Sequence, residues 1–157
     1  MRAILMKREF QNIETGEVYM HINEIQDRII EEMSARDDLT DKYQYIIDMA
    51  KELAMPGEQL RSEENLIKGC QSSVWIKTEC KDDKISLWGD SDSLITKGMI
   101  ALLIRIFNNQ PAEQIMRADL YFIHEAGLSA HLSPSRADGL AAIINHIKTS
   151  VEDTLNT

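Results

Sequence analysis

Ser72-Ser73-Val74-Trp75-Ile76-Lys77-Thr78-Glu79-Cys80-Lys81, then Asp82-Asp83, then Lys84-Ile85-Ser86-Leu87-Trp88-Gly89: this stretch decides the fold class. Its first part alternates with a period of two. Val74, Ile76, Thr78 and Cys80 fall on one face, and Ser73, Trp75, Lys77 and Glu79 on the other. Two aspartates make a tight turn, and Ile85 and Leu87 resume the inner face on the return. The pattern predicts a β-hairpin. Its phase predicts Cys80 as filler, partly or wholly buried. Trp75 and Trp88 are expected to face each other on the outer side, either exposed as a partner surface or covered by a helix. A lone hairpin is marginal in water, so a third strand is expected, though nothing in the sequence places it.

Outward from the hairpin the period changes to that of helices. On the N-terminal side, Ile22, Ile25, Ile29 and Met33 keep helical spacing. Arg36-Asp37-Asp38 interrupts it, and Thr40 or Asp41 can cap a second helix with the stripe Tyr43, Ile46, Ile47, Ala50 and Leu53. The two read as a helical hairpin, stopped at Pro56-Gly57. Ser62 to Asn65 can hold one short helical turn. On the C-terminal side, Asp90-Ser91-Asp92-Ser93 is rich in capping groups. Leu94 to Phe107 is apolar on most sides, which predicts a central buried helix. Asn108-Asn109-Gln110-Pro111 closes it, and Pro111 can open a short helix through Ile115. A last helix from about Ser135 to Val151 carries Leu140, Ile143, Ile144, Ile147 and Val151. The order of elements predicts one α+β domain, a small antiparallel sheet packed by helices. Residues 1–19 show weak periodicity and read as an N-terminal extension outside the core of a domain spanning 20–157.

Composition narrows the class of function. The chain has 157 residues, 43% of them apolar and 27% charged, as in an ordinary globular domain. A net charge of −9 with scattered Lys and Arg disfavours nucleic acid and anionic membrane surfaces as partners. No apolar run is long enough to span a bilayer or serve as a signal peptide, so a cytoplasmic location is expected. Two cysteines, Cys70 and Cys80, exclude a disulfide framework. The four histidines, His131 among them, show no ligand spacing, so no metal site is expected.

Chemistry concentrates at Lys68-Gly69-Cys70-Gln71-Ser72. Gly69 lets the backbone turn and the thiol be approached closely. Lys68, two residues back, points the same way in an extended loop and can favour the thiolate. Gln71 and Ser72 offer hydrogen-bond donors. A thiolate in this setting suits attack on another sulfur. Residue types alone leave a second reading open, a small apolar cysteine packed at a strand end.

Several ordered motifs carry a resemblance. They are Met20-His21-Ile22-Asn23-Glu24-Ile25-Gln26, Asp41-Lys42-Tyr43-Gln44-Tyr45-Ile46-Ile47-Asp48, Asn65-Leu66-Ile67-Lys68-Gly69-Cys70-Gln71-Ser72-Ser73-Val74-Trp75, Asp90-Ser91-Asp92-Ser93-Leu94-Ile95-Thr96-Lys97-Gly98, and His131-Leu132-Ser133-Pro134-Ser135-Arg136-Ala137-Asp138-Gly139-Leu140. Together they resemble the SufE family over Met20 to about Lys148. The resemblance implies a fold similar to iron–sulfur scaffold proteins of the IscU kind. It implies a sulfur acceptor and activator for a pyridoxal-phosphate cysteine desulfurase of the SufS type. Cys70 would take the persulfide sulfur and pass it to an iron–sulfur scaffold protein. Such a chain carries a covalent persulfide as a transfer partner, needs no cofactor of its own, and is not a stand-alone enzyme. Arg136 matches the family's arginine, either near Cys70, steadying a thiolate or binding the partner, or in a surface ion pair at a helix start. The competing functions are a thiol redox sensor and a module that activates a desulfurase without taking sulfur.

Overall fold

The computed structural model describes residues 9–11, 18–53, 58–68, 70–130 and 132–156. Val74–Lys81 (β3) and Lys84–Ser91 (β4) form the expected antiparallel hairpin, with Thr78 opposite Leu87. The turn is two residues long, and both aspartates are left-handed, Asp82 at φ 54° and Asp83 at φ 64°. That geometry matches the twist of the strands it joins, and Asp tolerates it. Val74, Ile76, Ile85 and Leu87 are buried, as their phase requires.

The third strand is Gln110–Pro111 (β5), which pairs with Lys84 and Ile85. Two residues are too few for a period, so only pairing identifies it. Asn109, at φ 64°, turns the chain back to the sheet, and its N–H donates to the Ile85 carbonyl at 2.7 Å. The sheet order is β3-β4-β5, so β4 is central and β3 an edge.

Leu94–Phe107 (α3) is the central helix, with the predicted bounds. Ser93 caps it, its Oγ accepting from the Thr96 N–H. It packs on β4 from one side and on Leu39–Glu52 (α2) from the other. Gly98 permits the second contact, since a Cβ there would collide with the carbonyl and side chain of Ile46. The final helix, Pro134–Leu155 (α6), lays Leu140, Ile143, Ile147 and Val151 in the core and covers β3. Between α3 and α6 the chain makes Ala112–Arg117 (α4) and Phe122–Glu125 (α5). The result is one α+β layer pair, helices against a three-stranded antiparallel sheet.

Four expectations are corrected. First, Ile22–Ser34 (α1) and α2 do not form a helical hairpin; each packs chiefly on α3. They meet through side chains: Arg105 of α3 forks onto both Glu32 oxygens at 2.9 and 2.6 Å, and the Tyr45 hydroxyl donates to Glu32 at 3.2 Å. Burial and the adjacent Glu32 push the Tyr45 hydroxyl up to about 12. Second, the α2 cap is Asp38, whose Oδ1 accepts from the Asp41 N–H. Third, Tyr45 is buried and Ile47 only half-buried: the Tyr45 hydroxyl reaches Glu32 and Arg36 lies 4.6 Å over its ring, so the buried face of α2 includes Tyr45. Fourth, Trp75 and Trp88 are diagonal, not opposite: Trp75 pairs with Asp90 and Trp88 with Lys77. Arg61 covers the Trp75 ring, and Trp88 is exposed.

Two 3₁₀ turns, Glu58–Arg61 and Glu63–Asn65, precede the cysteine loop, the second where a short turn was predicted. At the N-terminus Glu9–Gln11 (β1) and Val18–Met20 (β2) pair with each other as a two-stranded ribbon, which the weak periodicity did not reveal. The stop at Pro56-Gly57 lies outside the described residues. Among the described residues no helix is long and apolar enough to cross a membrane.

Candidate functional site

The loop 68–73 is pinned at both ends. The Ile67 N–H donates to the Val74 carbonyl at 2.8 Å, and Leu66 bridges Trp75 in antiparallel fashion. On the strand side the capping run seen in the sequence holds the loop as well as the helix. The Ser91 hydroxyl donates to the Ser73 carbonyl at 2.8 Å, and the Ser73 N–H donates to Asp92 Oδ1 at 3.0 Å. Hydrogen bonds thus close the base of the loop that carries Cys70.

Cys70 is half-buried, packed against the core. Its thiol lies 3.9 Å from the Gly139 carbonyl oxygen, within reach of a weak S–H donation. It opens on a cavity of about 150 Å³. Val74, Met99, Leu140 and Ile143 form the apolar floor; Gln71 and Arg136 also line it. Burial pushes the Cys70 thiol up, which favours its neutral form.

The first turn of α6 places Arg136. Pro134 fits the opening position, where no N–H is needed, and the Ser133 hydroxyl accepts from the Arg136 N–H at 3.3 Å. The cap uses the backbone of Arg136, an exposed residue that also lines the cavity. Positions 136, 139, 140 and 143 then share the face that looks on Cys70.

The structure thus brings together Cys70, Gln71 and Arg136. Lys68 is exposed and does not line the cavity, so the thiolate support expected of it is not built into the resting site. Gly69 and His131 lie outside the described residues. Cys80, expected to be filler, is exposed. It keeps the inner-face phase, opposite the buried Ile85, but it sits one residue from the end of the edge strand, beside the turn. Gly139 was missed as a site residue, although its spacing from Arg136 and Ile143 on one helix face could have indicated it.

A family model described as "SufE: Fe-S metabolism associated domain" matches residues 27–151. The chain belongs to the SufE family. The match spans the cysteine loop, the hairpin and most of α6, and it associates the chain with iron–sulfur metabolism. A SufE-like protein of Rhizobium meliloti, itself named as uncharacterized, is 36% identical over 134 residues, 82% of this chain and 96% of that protein. A second of that description, from Rhizobium etli, is 34% identical over 127 residues, 78% of this chain and 86% of that protein. The solution structure of a hypothetical protein from Thermus thermophilus matches in fold, with a TM-score of 0.71 at 17% identity. It covers 85% of this chain and 97% of that one.

Proposed function

We propose that this SufE-family chain is a sulfur acceptor and carrier, taking persulfide sulfur from a SufS-type cysteine desulfurase onto Cys70 and delivering it for iron–sulfur cluster assembly. The observation that carries the reading is a half-buried thiol at the tip of a loop pinned at its base, facing a cavity that Arg136 also lines. Sheltered, the thiol is neutral and inert. Moved out with the loop tip, it regains water and ionises more readily. Its thiolate then attacks the outer sulfur of the desulfurase persulfide. A new S–S bond forms on Cys70, the enzyme's S–S bond breaks, and the enzyme thiolate leaves and takes up the proton.

The placement of Cys80 weighs against a redox sensor. Val74 shares the cavity with Cys70, and Cys80 stands six strand residues further on, about 20 Å away at about 3.3 Å per residue. A disulfide needs Cα atoms within about 7 Å. Sulfur-35 cysteine and a SufS-type desulfurase provide the test. Cys70→Ser should take no label and Cys80→Ser should take the full amount. Label on Cys70→Ser, or none on the wild type, rejects the carrier reading; stimulation of the desulfurase by Cys70→Ser would assign the chain to non-covalent activation.

A further inference from the structure

β3 is an edge strand, and one bond tells which of its residues face the free side. The Val74 carbonyl accepts from the Ile67 N–H, so it points away from β4. Backbone direction alternates along a strand, so Ile76, Thr78 and Cys80 turn their N–H and C=O groups to the same free side. Ile67 and Leu66 hold that side at Val74 and Trp75. Further along, a cavity of about 480 Å³ opens beside Ile76, Lys77 and Thr78, and among the described residues no strand pairs there. Lys77, Glu79, Cys80 and Lys81 are exposed. An open edge of this kind is a template for another strand.

We infer that this edge pairs, weakly and reversibly, with the same edge of a second copy of the chain, antiparallel about a two-fold axis at Cys80. Sterics and charge select both the occupant and the register. Outward-turned residues must meet outward-turned residues. With the axis at 78 or before, the second copy would run over the places beside Val74 and Trp75 that Ile67 and Leu66 hold. At 79, Glu79 would face Glu79, and Lys77 would face Lys81. At 81, Lys81 would face Lys81. At 80, Glu79 of each copy faces Lys81 of the other, Lys77 faces Asp83, and Cys80 exchanges main-chain bonds with its counterpart. Cross-strand pairs of opposite charge are favourable and like pairs are not. The alternation Lys77, Glu79, Lys81 on one face is thus its own complement in antiparallel order, which is the argument for a second copy. The contact is short, far below the area of a permanent dimer, so the pairing depends on concentration. It lies at the other end of β3 from Val74, which shares the cavity with Cys70.

The test uses the full chain with Cys70→Ser, which leaves Cys80 as its one thiol. Diamide is the oxidant, and it takes up the two electrons and two protons released when two Cys80 thiols become a disulfide. In a bonded antiparallel pair the Cα atoms stand about 5.5 Å apart, within the span of a disulfide. Cross-linked dimer is followed by intact mass over a series of protein concentrations. Each rate is divided by the iodoacetamide rate of Cys80 in the same protein, which removes differences in thiolate content. Adding Glu79→Lys should slow cross-linking about fivefold, because lysine would then face Lys81. Random collision predicts the opposite sign, since the change lowers the net negative charge that keeps copies apart. Glu79→Lys together with Lys81→Glu restores opposite pairs at unchanged net charge and should recover the parent rate. A Glu79→Lys protein that cross-links as fast as its parent, or faster, overturns the inference. So does a double variant that stays slow, or a parent that forms no dimer.

Discussion

Arg61 Nε lies 2.8 Å from Oδ2 of Asp90, a carboxylate that is 1% exposed. The other oxygen, Oδ1, has Lys97 Nζ at 3.3 Å as a charge partner without a well-formed hydrogen bond. The same guanidinium lies 4.8 Å above the Trp75 ring. One buried charge therefore ties the 3₁₀ turn before the cysteine loop to the strand end after it. Burial alone would push Asp90 up, but Arg61, the Ser91 backbone N–H and Lys97 together hold it below the usual carboxylate range.

A depressed carboxyl stabilises the fold above its unfolded value, about 3.9, and the contribution is lost as pH falls through the lower folded value. Asp90→Asn should cost about 2 kcal/mol at neutral pH, reduced from a fully buried pair because Arg61 is half exposed. Urea midpoints of wild type and Asp90→Asn should converge as pH falls from about 5 to about 2.5. A gap that stays constant across that range would show that the charge is not what stabilises this corner.

The two cysteines should separate by reactivity. Cys80 is exposed, and burial pushes Cys70 up. Near neutral pH iodoacetamide should modify Cys80 first, with Cys70 lagging several-fold and gaining rate as pH rises toward its raised value. Peptide mapping after a short pulse reads this directly. Faster labelling of Cys70 would mean that the loop tip spends its time outside the cavity.

Arg136→Ala should keep the thermal midpoint, because Ser133 caps α6 through the backbone N–H of residue 136 and not through its side chain. It should lower desulfurase stimulation several-fold by removing an exposed cation from the cavity lining. Unchanged stimulation by the folded variant would assign Arg136 to surface ion pairing.

Gly98→Ala should destabilise the domain by about 2 kcal/mol, although alanine is the better helix former, since its methyl would enter the space of the Ile46 carbonyl. Gly139→Ala should stabilise it, since a Cβ there would meet nothing within 4 Å, so the two glycine substitutions in helices carry opposite signs. A chemical denaturation series on both variants checks the pair.

Much of the fold was legible because local periodicity carries it. The hairpin phase, the aspartate turn and the bounds of α3 follow from side-chain pattern and capping groups within a few residues of each other. At the site, Cys70 and Arg136 could be named from the residues and motifs around them. What escaped was set by partners distant in the chain. Gln110 and Pro111 are a strand only because Lys84 and Ile85 lie beside them. The cap of α2 is Asp38 and neither Thr40 nor Asp41, the two the sequence offered, because the turn of chain before α2 decides where the helix begins.

The sequence by itself determined the alternation of strands and helices, the polar loop around Cys70 and the family motifs, all of which depend on neighbours along the chain. Tertiary structure alone decided that Cys80 is exposed, since its phase points inward but it lies near the end of a strand that the sheet order makes an edge. It alone brought Cys70 to Gly139, across 69 positions of sequence, and left space at one glycine while filling the space at Gly89 and Gly98. Burial, and with it the upward push on the thiol, belongs to that second class, because it depends on which elements the packed core brings together in space.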